Sequence, residues 1–203
     1  MFSFNHNTGF SHSSDEELMR FISKGKKSAF NELYKRYDKK LHYYFYRMLH
    51  QDNIKAQDFL QELFLKIIEK PNLFDTDKKF STWIYSIASN MCKNEYRKDA
   101  IRGTIINLKD ELELVQKEDE SSDYDKELFK KHLKKELSKL DDEHKETFIL
   151  RYQEELAIKE ISQIMNCSEG TVKSRIFYTT KKLAVKLRTF NPHKSKYHGK
   201  NTG

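Results

Sequence analysis

Phe30, Leu33, Tyr34, Tyr37, Leu41, Phe45 and Met48 recur at intervals of three and four residues. At 3.6 residues per turn an α-helix gathers all of them on one side, whereas a strand would scatter them over both faces. The stripe therefore dictates a helix of about five turns, stable only if other apolar surface covers it. Ser14, with Glu17 three residues on, is a capping-box pattern that starts a shorter helix through Ile22, and Gly25 is a candidate C-cap. The long helix is expected from Ser28. Asp52 is placed to cap a third helix, with Phe59, Leu60, Leu63, Phe64, Ile67 and Ile68 inward and Pro71 ending it. A polar loop, Asn72 to Lys79, leads to a fourth helix from Phe80 to Lys98, with Phe80, Ile84, Ile87, Ala88 and Met91 inward. Helices joined by such short loops make a bundle over residues 14–98.

A second helical block is expected over residues 126–189. Leu133, Leu137 and Leu140 mark its first helix, and Asp141 or Asp142 caps the next, which carries Phe148, Ile149 and Tyr152. Leu156, Ile158, Ile161, Ile164 and Met165 form a short helix, broken at Asn166-Cys167-Ser168, and a longer one follows. Between the blocks, residues 99–125 lack sustained periodicity apart from an apolar patch at Ile101 to Leu108. From Asp110 to Glu127 there are nine acidic and two basic residues, which reads as a flexible acidic linker. Residues 1–13 and the basic stretch 190–203, beginning near Pro192, read as disordered tails. The expected class is all-α: two small helical domains, an N-terminal bundle and a C-terminal helix-turn-helix, on one acidic leash.

Gly and Pro together number only 8 of 203 residues, which argues against a β-barrel or sandwich. The net charge is +7, favouring a polyanionic partner. No apolar run is long enough to span a bilayer, and the N-terminus lacks a cationic region followed by an apolar stretch. Neither membrane insertion nor secretion is expected, and the chain reads as cytoplasmic. Cys92 and Cys167 have no metal-ligand spacing and read as small apolar residues. Asp141-Asp142-Glu143-His144 sits at a helix start, where acids favour the macrodipole. No metal, cofactor or catalytic constellation is expected.

The final helix carries Lys173, Arg175, Lys181, Lys182, Lys186 and Arg188 between Thr171 and Arg188, with no acidic residue among them. Val172, Ile176, Thr179, Leu183 and Leu187 share one face, while Lys173, Ser174, Phe177 and Tyr178 point elsewhere. A short helix, a tight turn through Gly170 and a longer helix with exposed early residues match helix-turn-helix geometry, in which the second helix enters the major groove. Ser168 is its expected cap. Lys173 and Ser174 are best placed for base edges, and cations without carboxylate neighbours would neutralise phosphates.

On the fourth helix and just before it, Lys78, Lys79, Lys93, Arg97 and Lys98 alternate with Phe80, Trp83, Tyr85 and Tyr96, beside Asn90. That mixture suits unpaired bases, and equally suits a core with a solvated rim. The third helix exposes Asp58, Gln61, Glu62 and Lys66, by themselves an ordinary polar face.

Taken in order, DEELMRFISKGKKSAFNELYKRY, AQDFLQELFLKI, FSTWIYSIASNMCKNEYRK and KEISQIMNCSEGTVKSRIF resemble the extracytoplasmic-function class of bacterial sigma factors. These are the promoter-recognition subunits of RNA polymerase. The resemblance covers about residues 14–188. It implies that 14–98 is a region 2 domain and 126–189 a region 4 domain. It implies that Asp58, Gln61 and Glu62 contact the clamp helices of the largest catalytic subunit of core polymerase. It implies that Lys78, Lys79, Phe80, Trp83, Asn90 and Arg97 serve the −10 element and its separated strand. It implies that Arg151, Thr171, Lys173, Ser174, Phe177 and Tyr178 serve the −35 element, and that an anti-sigma factor is a further partner. Ala157 stands where the family usually has Ser, and Tyr178-Thr179-Thr180 replaces a stretch usually rich in Arg and Ala.

The linker allows a geometric check. About 27 flexible residues span roughly 30 Å on average and about 90 Å fully extended. Two promoter elements two turns of DNA apart are separated by roughly 70 Å. The leash can reach, but only if something holds it taut, as a polymerase core would. The rival reading is a dimeric helix-turn-helix regulator of a palindromic operator. A DNA-processing enzyme would need clustered metal ligands that the sequence does not offer.

Overall fold

A computed structural model of the chain describes residues 9–105 and 124–188. Eight α-helices are described: α1 (Asp15–Ser23), α2 (Lys27–Met48), α3 (Asn53–Glu69), α4 (Phe80–Ile105), α5 (Tyr124–Ser138), α6 (Asp142–Tyr152), α7 (Ile158–Met165) and α8 (Glu169–Lys186). The described residues contain no strand.

The caps read from sequence form. The Ser14 hydroxyl accepts from Glu17 N at 3.1 Å while Glu17 Oε2 accepts from Ser14 N at 2.8 Å. Asp52 caps α3 through Lys55 N at 2.9 Å, and Asp141, rather than Asp142, caps α6 through His144 N at 3.1 Å. Gly25 follows α1 with φ 76°, a conformation that costs glycine nothing. No glycine serves the α2–α3 turn. There His50 and Gln51 both take positive φ, and the Tyr96 hydroxyl donates to Met48 O at 2.6 Å.

The α2 stripe is covered as its spacing requires. Leu33, Tyr37, Leu41, Phe45 and Met48 are buried, and Phe30 and Tyr34 are half-buried against Phe64 of α3. Several expectations differ from what forms. Ile68 is 49% exposed, because the inward face of α3 is already filled by Leu60, Leu63, Phe64 and Ile67. Tyr152 is exposed and Phe148 half-buried. Helix α4 runs on to Ile105 and α5 begins at Tyr124, so the connector is shorter at both ends than expected. Residues 9–13 pack on the bundle instead of trailing: Phe10 stacks on Phe21, and Arg36 donates to Ser13 O at 2.8 Å and Ser11 O at 3.0 Å. Residues 1–8, the acidic stretch 106–123 with the end of the Ile101–Leu108 patch, and the basic stretch 189–203 lie outside the described residues.

The two blocks are not held apart. One apolar core runs from Leu18 of α1 to Val172 of α8, taking in Ile149, Leu150, Leu156, Ile161, Ile164 and Met165. Helix α7 lies against α4, and α6 against α2. Polar bonds cross the same boundary. The Tyr44 hydroxyl donates to Glu146 Oε1 at 2.7 Å, the Tyr85 hydroxyl donates to Glu154, and Lys79 Nζ meets Glu160 at 2.9 Å. The sequence pattern did not reveal this packing, since each block's periodicity is satisfied locally.

Burial separates two substitutions on the bundle. Leu41→Ala removes a fully buried side chain and is expected to cost about 2–5 kcal/mol, read as a lowered urea midpoint by circular dichroism. Ile68→Ala, on the open side of α3, is expected to change stability by less than about 0.5 kcal/mol; an equal loss from both would refute this assignment of faces.

Candidate nucleic-acid interface

Helix α8 starts where its turn directs it. Asn166 closes α7 in the left-handed region, φ 51°, which Asn tolerates better than most residues. The Ser168 hydroxyl then accepts from Thr171 N at 3.0 Å. The turn does not require a glycine at Gly170: an added Cβ would meet only Ser168 Oγ at 3.6 Å, an ordinary contact. At α7, Ala157 offers no side-chain cap, and Glu160 alone reaches back to Ala157 N at 2.8 Å.

Val172, Thr179, Leu183 and Leu187 are buried, so α8 turns its opposite side to solvent. Lys173 and Ser174 are exposed there, beside Phe177 and Tyr178 at 59% and 60% exposure. Two edge-on rings 5.4 Å apart, held outside the core, are unusual unless something else covers them. Lys173, Lys181, Lys182 and Arg188 make no ion pair with any described residue. Arg175 does: its guanidinium pairs with Glu143 and its side chain is largely withdrawn from solvent. The expectation that every cation of this helix lacks an acidic neighbour is corrected there. Thr171 is half-buried, its hydroxyl 2.9 Å from Ser168 Oγ. Arg151 donates to Leu156 O at 3.0 Å, bracing the α6–α7 turn.

The α4 set divides. Phe80 is fully buried, edge-on to Tyr37 and Phe74, so its ring shapes the core and cannot meet a base in this conformation. Trp83 is half-buried, 5.1 Å from Phe74 and 5.7 Å from Phe80. Asn90 and Arg97 are exposed, and Lys78 lies 3.5 Å from Asp75. Lys79 is held by Glu160, whose ion pair raises the lysine pKa. Burial pushes the Glu160 carboxyl up, but the Ala157 N–H and the Lys79 ammonium outweigh it and hold the group below its usual range.

On α3, Asp58, Gln61 and Glu62 are exposed, with Glu62 paired to Lys66 at 2.7 Å. Ile54, Leu65 and Ile68 are exposed at 78%, 54% and 49%. Ile54, Asp58, Gln61, Leu65 and Ile68 alternate four and three apart, the seam spacing of helices that pair with other helices. The spacing is present in the sequence, but periodicity alone groups Ile68 with the core and leaves Ile54 unassigned.

Residues 33–101 match the Sigma-70 region 2 family and residues 137–184 the Sigma-70 region 4 family. The ECF RNA polymerase sigma factor SigW of Bacillus subtilis (strain 168) is 31% identical over 182 residues, covering 85% of this chain and 96% of SigW. The chain belongs to the ECF RNA polymerase sigma factors.

The ECF RNA polymerase sigma-E factor of Escherichia coli (strain K12) is 30% identical over 172 residues, 80% of this chain and 88% of that one. Among solved structures, the fold is similar to the sigma factor RpoE of Bartonella quintana, solved with the anti-sigma factor NepR. The TM-score is 0.65 at 20% identity, over 78% of this chain and 96% of RpoE. CnrH, solved with the cytosolic domain of CnrY, gives 0.62 at 19% identity, over 86% and 97%. As an ECF sigma factor the chain directs RNA polymerase to specific promoters, with core polymerase and promoter DNA as its partners. No described helix is long and apolar enough to cross a membrane.

The sigma factor's α8 yields a graded expectation. Lys173→Ala should weaken binding of holoenzyme to promoter DNA and lower the slope of log affinity against log salt by about 1. Arg175→Ala, whose charge is engaged by Glu143, should change that slope by less than half as much. Filter binding across a salt series distinguishes them, and equal slopes would count against the division.

Proposed function

We propose a division of labour among the faces of this sigma factor. Helix α8 presents Lys173, Ser174, Phe177 and Tyr178 to the −35 element, with Thr171 at its N-terminal end and Arg151, which braces the α6–α7 turn, serving the same element. The Asn72–Lys79 loop and α4 serve the −10 element. Lys78, Lys79, Asn90 and Arg97 supply polar and cationic contacts to the opened strand, and the half-buried Trp83 supplies a stacking surface. Phe80 supports that surface from beneath. The carrying observation is the exposure of Phe177 and Tyr178 beside unpaired cations on α8.

Asp58, Gln61 and Glu62 of α3, with Ile54, Leu65 and Ile68 along the same seam, form the grip on the clamp helices of core polymerase. An exposed seam with apolar residues at alternating four and three spacing suits a helical partner. The protein contributes no bond-making step of its own; it acts by binding in the cytoplasm, where the polymerase works. Both solved neighbours were captured with a second protein, NepR for RpoE and the cytosolic domain of CnrY for CnrH, which supports an anti-sigma factor as a regulatory partner here.

In vitro transcription with core polymerase on a promoter library tests the whole reading. RNA chains should start at defined sites only when the protein is present, and unchanged initiation without it would end the proposal. Gln61→Ala with Glu62→Ala should abolish pull-down of core polymerase while leaving the helical circular dichroism spectrum intact. Retention of core polymerase by that variant would remove α3 from the interface.

A further inference from the structure

Helices α1, α3, α6 and α8 each open on a side chain that accepts from the backbone amide three residues on: Ser14, Asp52, Asp141 and Ser168. Helix α4 cannot open that way. Its first residue, Phe80, follows Lys79, and an ammonium group can only donate. In the loop before it, Asp75 is engaged locally, accepting from Asp77 N at 3.1 Å and pairing with Lys78 at 3.5 Å. The acceptor comes from another helix. Glu16 Oε1 of α1 takes the Phe80 N–H at 2.9 Å, across 64 positions of sequence.

Glu16 is one of three successive acids in the first turn of α1, and each has a different task. Glu17 closes the capping box with Ser14. Asp15 accepts from the Tyr37 hydroxyl at 2.6 Å and from Arg36 at 2.7 Å, which ties α1 to α2. Glu16 reaches α4. Two constraints thus meet on Phe80: its amide is held by Glu16, and its ring lies edge-on to Tyr37 at 5.2 Å. Fixing Phe80 fixes its neighbours. Lys78 and Lys79 come immediately before it, and the ring of Trp83, one turn on, lies 5.7 Å from its own.

We infer that Glu16 is a positioning residue for promoter opening: it sets where α4 begins, and so holds Lys78, Lys79 and Trp83 in the frame that receives the separated strand. It acts through Phe80 and not on DNA. This inference rests on the assignment of α4 to the −10 element. Without the carboxylate, a partly buried N–H loses its acceptor, and the first turn of α4 has to fray or shift to find another.

Open-complex formation by the holoenzyme, followed as permanganate reactivity of unpaired thymines on a promoter selected from the library, reads the effect. Glu16→Ala should slow opening by about fivefold, the factor that goes with loss of one N-cap, while pull-down of core polymerase stays within about twofold. Glu16→Gln, which keeps an acceptor oxygen, should restore the rate. Glu17→Ala breaks the α1 capping box at a comparable cost in stability, yet should open promoters at the wild-type rate, because α4 keeps its cap. In the wild-type chain, hydrogen exchange followed residue by residue should show a protected Phe80 amide.

An unchanged opening rate in Glu16→Ala overturns the inference. An equal loss in Glu17→Ala also overturns it, because the effect would then be one of general stability, and so does a Glu16→Gln chain as slow as Glu16→Ala. If Glu16→Ala loses its helical spectrum, the wild-type exchange decides, and a Phe80 amide as labile as an unbonded one removes the cap. Asn90→Ala and Arg97→Ala, both at exposed positions of α4, test the underlying assignment in the same assay. Normal opening by both takes the −10 role from α4 and the inference with it. Slow opening by both beside normal opening by Glu16→Ala overturns the role of Glu16 alone.

Discussion

Burial of the α2 stripe is the constraint on which the rest of the structure depends. A helix with a continuous apolar side has to be covered along its length, and α2 is covered by two different parts of the chain. Helix α3 seals it within the first block through Phe30, Tyr34 and Phe64. Helix α6 approaches it from the second block, where the Tyr44 hydroxyl finds Glu146. Because Tyr44 has no access to solvent, that hydroxyl must be satisfied inside the protein. The requirement of one buried oxygen thereby couples the bundle to the helix-turn-helix.

The polar groups at the boundary follow the same rule. Burial pushes the Tyr85 hydroxyl and the Glu154 carboxyl upward in pKa, and each is the other's hydrogen-bond partner. Such groups make a junction that is tight when closed and costs little to hydrate when parted. A junction of hydrocarbon alone would resist opening in proportion to its area.

Away from the boundary, the molecule leaves uncovered what its partners would cover. The apolar residues of the α3 seam and the paired rings of α8 lie on separate surfaces, one beside carboxylate and amide groups and the other beside lysines. Those neighbours suit a protein helix in the first case and a phosphate backbone in the second. The +7 net charge is therefore an average over surfaces of different character.

Much of this was legible in the chain itself. Helix positions, the caps at Ser14, Asp52, Asp141 and Ser168, and the open face of α8 all follow from spacing and from side chains acting within four residues. Local rules misplaced Ile68, which obeys the same period as its buried neighbours but falls one step around the helix from them. They also left Phe80 undecided between core and ligand, and gave Arg175 no partner, because Glu143 lies 32 residues away. The sequence by itself determined an all-helical chain in two blocks with one basic reading helix, since periodicity and capping are short-range physics. Only the tertiary structure decided that the blocks share a core and that Tyr44, Tyr85 and Lys79 bond across it. Those contacts join residues 69 to 102 positions apart, and no periodic pattern within either block encodes which surface of the other it will meet.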